Sequence, residues 1–180
     1  MILETTRLIL RPWEDSDAEA LYKYASSPEV GPAAGWAVHT SVENSLEIIQ
    51  NVLSAPETYA VILKEVGHPV GSIGLMIGKA SNSDIPDTEA EIGYWIGVPY
   101  WGRGLITESA REMLRRGFED LQLDKIWCNI YDGNVRSYRV EEKCGFKFHH
   151  TTEKVPFPLD DTFRTVHTFC ISREEWLAER

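Results

Sequence analysis

The sequence predicts an α/β fold with a mixed sheet and helices on both of its faces. Three observations predict it. First, a β-branched and aromatic run at 91–98 precedes a helical apolar pattern at 104–121 and another strand pattern at 125–131. That order closes as a crossover between parallel strands. Second, strand patterns at 59–64 and 70–77 flank Gly67-His68-Pro69, as in an antiparallel hairpin. Third, two further strands at 146–152 and 163–171 close the order, joined by a Pro-containing loop. With 180 residues and neither repeat nor linker, the expectation is one domain over 1–180.

Each element has a local cause. Residues 6–13 read as a first strand, closed by Pro12. Asp15 or Ser16 can cap the next helix, with Glu19 in capping-box position behind Ser16. Ala18, Leu21, Tyr22 and Ala25 lie on one side of it, and it ends before Pro28. The segment 28–40, with Gly31, Pro32, Gly35 and Trp36, reads as a loop long enough to border a site. Ser41 caps a second helix carrying Val42, Leu46, Ile49 and Leu53. After the hairpin, 79–88 is a polar, turn-rich loop. Asp132-Gly133-Asn134 turns the strand 125–131 into a short helix at 135–143, which Gly145 ends in a left-handed conformation. Ser172 and Glu175 form a capping box for a last helical turn.

Composition excludes several classes. A net charge of −10 disfavours direct nucleic-acid binding and favours a cationic partner. Cys128, Cys144 and Cys170 are too scattered for a disulfide framework or a zinc site, so they read as reduced and intracellular. Apolar runs are too short to span a bilayer, and Glu4, Arg7 and Arg11 interrupt any signal-peptide core. The expected location is cytoplasmic, with no membrane contact.

The stretch that carries chemistry joins the strand 91–98 to the helix 104–121. Pro99 stops the ladder. Gly102 and Gly104 let the backbone turn tightly and approach a ligand. The first helical turn then leaves N–H groups, and the positive end of the dipole, facing the turn. This is a seat for an anion such as a phosphate, with Arg103 as a mobile charge beside it. There is no G-x-x-x-x-G-K-[ST], and no G-x-G-x-x-G either, because the third residue after Gly104 is Thr107.

Four pieces, in order and across nearly the whole chain, resemble one family. They are Thr6-Arg-Leu-Ile-Leu-Arg11, Glu91-Ile-Gly-Tyr-Trp-Ile96, Tyr100-Trp-Gly-Arg-Gly104 with Thr107-Glu108, and Asn134-x-x-Ser137 leading to Glu142-Lys-Cys-Gly-Phe146. The sequence is similar to the GNAT superfamily of N-acetyltransferases, and within it to the ribosomal-protein N-terminal acetyltransferases of the RimJ/RimL type. The resemblance implies a single-domain, mostly antiparallel sheet with a central parallel strand pair. It implies acetyl-CoA as co-substrate, with its pyrophosphate on the backbone from Arg103 through Gly104, Leu105 and Ile106 to Thr107. The pantetheine arm would pair with Ile96, Gly97 and Val98, where the strands 91–98 and 125–131 splay apart, and Asn134 would hydrogen-bond to it. Ile106 stands where the family usually has Gly or Ala, and Trp101 where it has Gln or Arg; the bulk of Ile106 bears on the loop geometry.

The implied reaction is direct attack of a primary amine on the thioester. Glu91, a carboxylate on an apolar strand, is the candidate base, and Ser137 the candidate proton donor to the leaving sulfur. The tyrosine that many relatives use as acid is absent, for Glu141 holds its position and Tyr138 lies three residues away. The acidic run Asp84, Asp87, Glu89 and Glu91 can attract a basic peptide or simply face solvent. His149-His150 read as edge-strand residues, and Trp36, Trp95 and Trp127 as core or pocket wall. The expected acceptor is the α-amine at a protein N-terminus. Alternatives are a small-molecule amine (polyamine or antibiotic-like) and a non-catalytic acetyl-CoA sensor; a homodimer is common in such relatives.

Overall fold

The computed structural model describes residues 1–179. Eight strands form one sheet in the order β1-β2-β3-β4-β5-β6-β8-β7. β1 (Leu3–Glu4), which has no counterpart in the sequence reading, pairs antiparallel with β2 (Leu8–Arg11). The predicted strand 6–13 is therefore shorter, because Thr5 turns the chain through its amide bond to the Leu8 carbonyl. The expected Ser16–Glu19 capping box does not form. Glu14 and Asp17 exchange those bonds instead, because the Arg11 guanidinium holds both Asp17 oxygens at 2.7 and 2.8 Å.

Helix α1 (Ala18–Ala25) follows, and the predicted loop 28–40 contains a one-turn helix, α2 (Gly31–Ala34). Ser41 caps α3 (Val42–Ile48) as expected, accepting from the Asn44 amide at 3.0 Å. The chain then widens into a π-turn at Ile49–Leu53. β3 (Thr58–Leu63) and β4 (Pro69–Ile77) make the antiparallel hairpin. β5 (Glu89–Ile96) starts and ends two residues before the predicted 91–98. Helix α4 (Leu105–Arg115) runs into a π-turn at Arg116–Asp120, closed by the Leu121 amide on the Arg116 carbonyl.

β6 (Lys125–Tyr131) and α5 (Val135–Lys143) match their predicted bounds. β7 (Lys147–Pro156) is longer than predicted, and β8 (Phe163–Ser172) leads into α6 (Arg173–Ala178) through the Ser172–Glu175 capping box. β5 and β6 are parallel, whereas β6–β8 and β7–β8 are antiparallel. The sheet is mixed, with one parallel pair, as the crossover requires.

The chain forms two compact units, Met1–Gly74 with Tyr94–Ser109, and Leu75–Gly93 with the residues from Ala110 on. In the first, Trp13, Leu21, Ala25, Ile49, Ala60 and Ile62 form a buried cluster from α1, the α3 extension and β3. Trp36 and Trp95 pack against it and meet edge to face at 5.6 Å. In the second, the α4 extension lies so close to β6 that a Cβ on Gly117 would stand 2.7 Å from Ile126 Cδ1. Phe118 and Trp176 close that core at 5.4 Å between ring centroids.

Candidate active site

In the first unit, β5 ends where the Gly97 amide donates to the Val70 carbonyl at 2.8 Å. Val98–Tyr100 makes a single 3-10 turn around Pro99. Trp101 folds back over it: its amide donates to the Val98 carbonyl and its indole Nε1 to the Ile96 carbonyl at 3.0 Å. Gly102 and Gly104 then both take positive φ, 73° and 74°, a conformation that a Cβ resists. The Glu108 amide reaches the Gly104 carbonyl at 3.0 Å and opens the helical ladder. The amides of Leu105 and Ile106 lie before that bond and have no acceptor within the helix. Ile106 is 7% exposed, so its branched side chain occupies the core and not the turn.

Charge gathers at the same turn. Arg103 lies beside the turn, paired with Glu65 at 3.1 Å and over the Tyr100 ring. The pair is exposed, at 41% and 69%, and an exposed pair of this kind yields readily to a stronger anion. Glu108 is more firmly held. Burial alone would push its carboxyl up, but bonds from Thr5 Oγ1 and from the Arg7 amide and guanidinium outweigh that and hold it below the usual range.

In the second unit, Glu91 stands next to the point where β5 and β6 stop pairing. Their register ends at Glu91↔Trp127, while β6 continues to Tyr131 paired with β8. Glu91 is 6% exposed, and among the described residues no ion pair accounts for its burial. Oε2 accepts from Ser81 Oγ at 2.6 Å and from the Asn82 amide at 3.1 Å. Oε1 accepts from Asn129 Nδ2 at 3.1 Å. Asn129 also donates to Ser83 Oγ and accepts from Thr168 Oγ1 at 2.7 Å. The carboxylate and Asn129 together thus tie the 81–83 loop to β5, β6 and β8. This network was missed in the sequence. Its readable signal was the alternation in β6, where Ile126, Cys128 and Ile130 are buried and Asn129 falls on the opposite face.

Asn134 caps α5, its Oδ1 accepting from the Ser137 amide at 3.3 Å, and this leaves its Nδ2 as the donor group. Ser137 lies in the first turn of the same helix. Glu141 is fully buried one turn further on. Next to it, burial pushes the Cys144 thiol up to about 12, with the Glu141 charge adding to the effect, so this thiol is not a nucleophile near neutral pH. Trp127 Nε1 donates to Glu89, and His149 and His150 lie exposed on β7 as expected of an edge strand.

Residues 7–147 match the family model described as an acetyltransferase (GNAT) domain. The uncharacterized N-acetyltransferase p20 of Bacillus licheniformis is 31% identical over 150 residues, covering 81% of this chain and 82% of its own. The FsC-acetyl coenzyme A-N(2)-transacetylase of Aspergillus fumigatus is 25% identical over 185 residues, covering 97% of this chain and 77% of its own. Among solved structures, an acetyltransferase (GNAT family) from Bacillus anthracis superposes with a TM-score of 0.83 at 24% identity, covering 97% of this chain and 99% of its own.

Proposed function

The chain belongs to the GNAT acetyltransferase family, and from that premise we propose that its acceptor is the N-terminal α-amine of a protein or peptide, as in the RimJ/RimL type. It is an acetyl-CoA-dependent N-acetyltransferase. The observation that carries the choice of amine is the setting of Glu91, a buried carboxylate that accepts from three neutral donors and from no cation among the described residues. A carboxylate that already accepts three hydrogen bonds has little acceptor capacity left for the proton of an incoming ammonium. An α-amine has a pKa of roughly 7.7–8.0 and a lysine about 10.4. Near pH 7 roughly a tenth of α-amines are already neutral, against under about a thousandth of lysines, a difference on the order of 3.5 kcal/mol. An acceptor that arrives largely neutral asks less of such a group than a lysine does.

The roles follow from the chemistry. In the first unit, the backbone N–H groups from Arg103 and Gly104 through Leu105 and Ile106 to Thr107 hold the diphosphate of acetyl-CoA. The arm pairs along Ile96, Gly97 and Val98. Several carbonyls there already accept one bond each, and the Val98 N–H is the donor those bonds leave over. In the second unit, the Asn134 amide donates to the pantetheine. The amine attacks the thioester carbon while Glu91, through the remaining lone pair of Oε1, takes its proton. The C–S bond then breaks, Ser137 Oγ passes a proton to the departing thiolate while taking one from water, and Glu91 returns the amine proton to solvent. Cys128, Cys144 and Cys170 form no disulfide among the described residues, which supports a reducing, cytoplasmic setting. The exposed edge strand β7 supports a homodimer.

A second reading, transfer to a small-molecule amine, is favoured by the N(2)-transacetylase among the relatives. The test is an amine panel with acetyl-CoA, following free thiol. Peptides beginning with Ser, Ala or Thr are expected to exceed lysine side chains and polyamines at least tenfold in kcat/KM. Preference for a polyamine or another small amine transfers the assignment to the second reading.

A further inference from the structure

The motif Thr6-Arg-Leu-Ile-Leu-Arg11 opens the chain, yet the proposed chemistry gives it no part. We propose that Arg7 is a positioning residue for the diphosphate of acetyl-CoA, acting through the glycine turn. The proposal rests on the reading of that turn as the diphosphate seat. Arg7 grips the turn on both sides of Gly104. Ahead of it, Nη1 donates to the Arg103 carbonyl at 2.9 Å. Behind it, Nε donates to Glu108 Oε2 at 2.7 Å and the Arg7 amide to Oε1 at 2.8 Å. Thr5 Oγ1 adds a bond to Oε1 at 2.6 Å.

Each contact has a consequence for the turn. A trans peptide plane carries its C=O and N–H in opposite directions. Pinning the Arg103 carbonyl therefore aims the Gly104 N–H away from Arg7. Gripping Glu108 fixes the first turn of α4, and with it the directions of the Leu105 and Ile106 amides. Two donors of one rigid fork, Nε and Nη1, hold a carboxylate and a carbonyl together, which a single ammonium cannot do in the same geometry. Nη2 makes no hydrogen bond among the described residues and lies 3.7 Å from where a Cβ on Gly104 would stand. That is an ordinary contact distance, so it is the φ of 74°, not a lack of room beside Arg7, that calls for glycine at 104. The grip of Arg7 also aligns the amides before any ligand arrives, which lowers the ordering cost of binding.

The test compares two thioesters on wild type and Arg7→Gln: acetyl-CoA, and acetyl-pantetheine, which lacks the nucleotide and its diphosphate. Arg7→Gln is expected to raise KM for acetyl-CoA at least fivefold, with kcat within twofold and acetyl-pantetheine kinetics unchanged. Arg7→Lys, which keeps the charge but not the fork, is expected to recover less than half of that loss, and it carries the comparison should the glutamine variant not fold. Equal losses on both thioesters, or no loss on either, overturn the proposal. A wild type that does not distinguish the two thioesters overturns the diphosphate reading itself, an outcome visible before any variant is made.

Discussion

Glu91 shows what a single residue reveals in sequence and what it hides. A carboxylate inside an apolar strand marked the position, and the structure shows the carboxylate buried. Its partners Ser81, Asn82 and Asn129, and Thr168 behind Asn129, were not legible, because they come from three other segments brought together by strand register. Arg7 and Glu108 were hidden for the same reason, at a separation of 101 residues. If Glu91 is the base, Glu91→Gln lowers kcat/KM on the order of 100-fold, the lower range for one general acid–base group. Ser137→Ala, which removes only the proton donor to sulfur, is expected to cost about tenfold, because thiolate is already an able leaving group. Steady-state kinetics with a peptide acceptor measure both, and near-wild-type values for either variant remove that residue from the mechanism.

At the level of elements, the sequence located the segments whose cause is local. β6 and α5 have their predicted bounds, and Ser41 and Ser172 cap the helices they precede. The first helix differs because its cap is decided by Arg11, which reaches Asp17 from the neighbouring strand. The β5 bounds moved for a related reason: the Val70 carbonyl takes the Gly97 amide, and Trp101 covers the Ile96 carbonyl. At the other end of the chain the Ser172–Glu175 box predicts a pH dependence. The Lys147 ammonium and the Ser172 amide bring the Glu175 carboxyl down to about 2. A carboxyl lowered in the folded state stabilises it fully above the unfolded pKa, near 4.3, and that contribution fades as pH falls toward 2. Melting temperature is therefore expected to drop over that window, and Glu175→Gln to flatten the drop while lowering stability at neutral pH. An identical slope in wild type and variant in thermal melts counts against this account. Because the carboxylate is close to solvent, raised salt weakens the effect.

For the molecule as a whole, we propose that residues 1–180 act as one domain although the chain forms two compact units. The boundaries between the units fall at Gly74/Leu75, Gly93/Tyr94 and Ser109/Ala110. Each lies inside a continuous element: β4, β5 and α4 in turn. A helix propagates residue by residue once nucleated, so α4 has no reason to melt at its own middle. A strand cut at Gly74 or Gly93 would leave half its ladder groups without partners. Unfolding is therefore expected to be a single transition. Trp13, Trp36, Trp95 and Trp101 report on the first unit, and Trp127 and Trp176 on the second. Tryptophan emission should coincide with far-ultraviolet dichroism, and calorimetric and van't Hoff enthalpies should agree. Acetyl-CoA at about 100 times its Kd should add roughly 2.7 kcal/mol to the same transition and move it intact. Two resolved transitions, or a ligand shift confined to one of them, would show that the shared strands and helix do not couple the units, and the one-domain reading would fall.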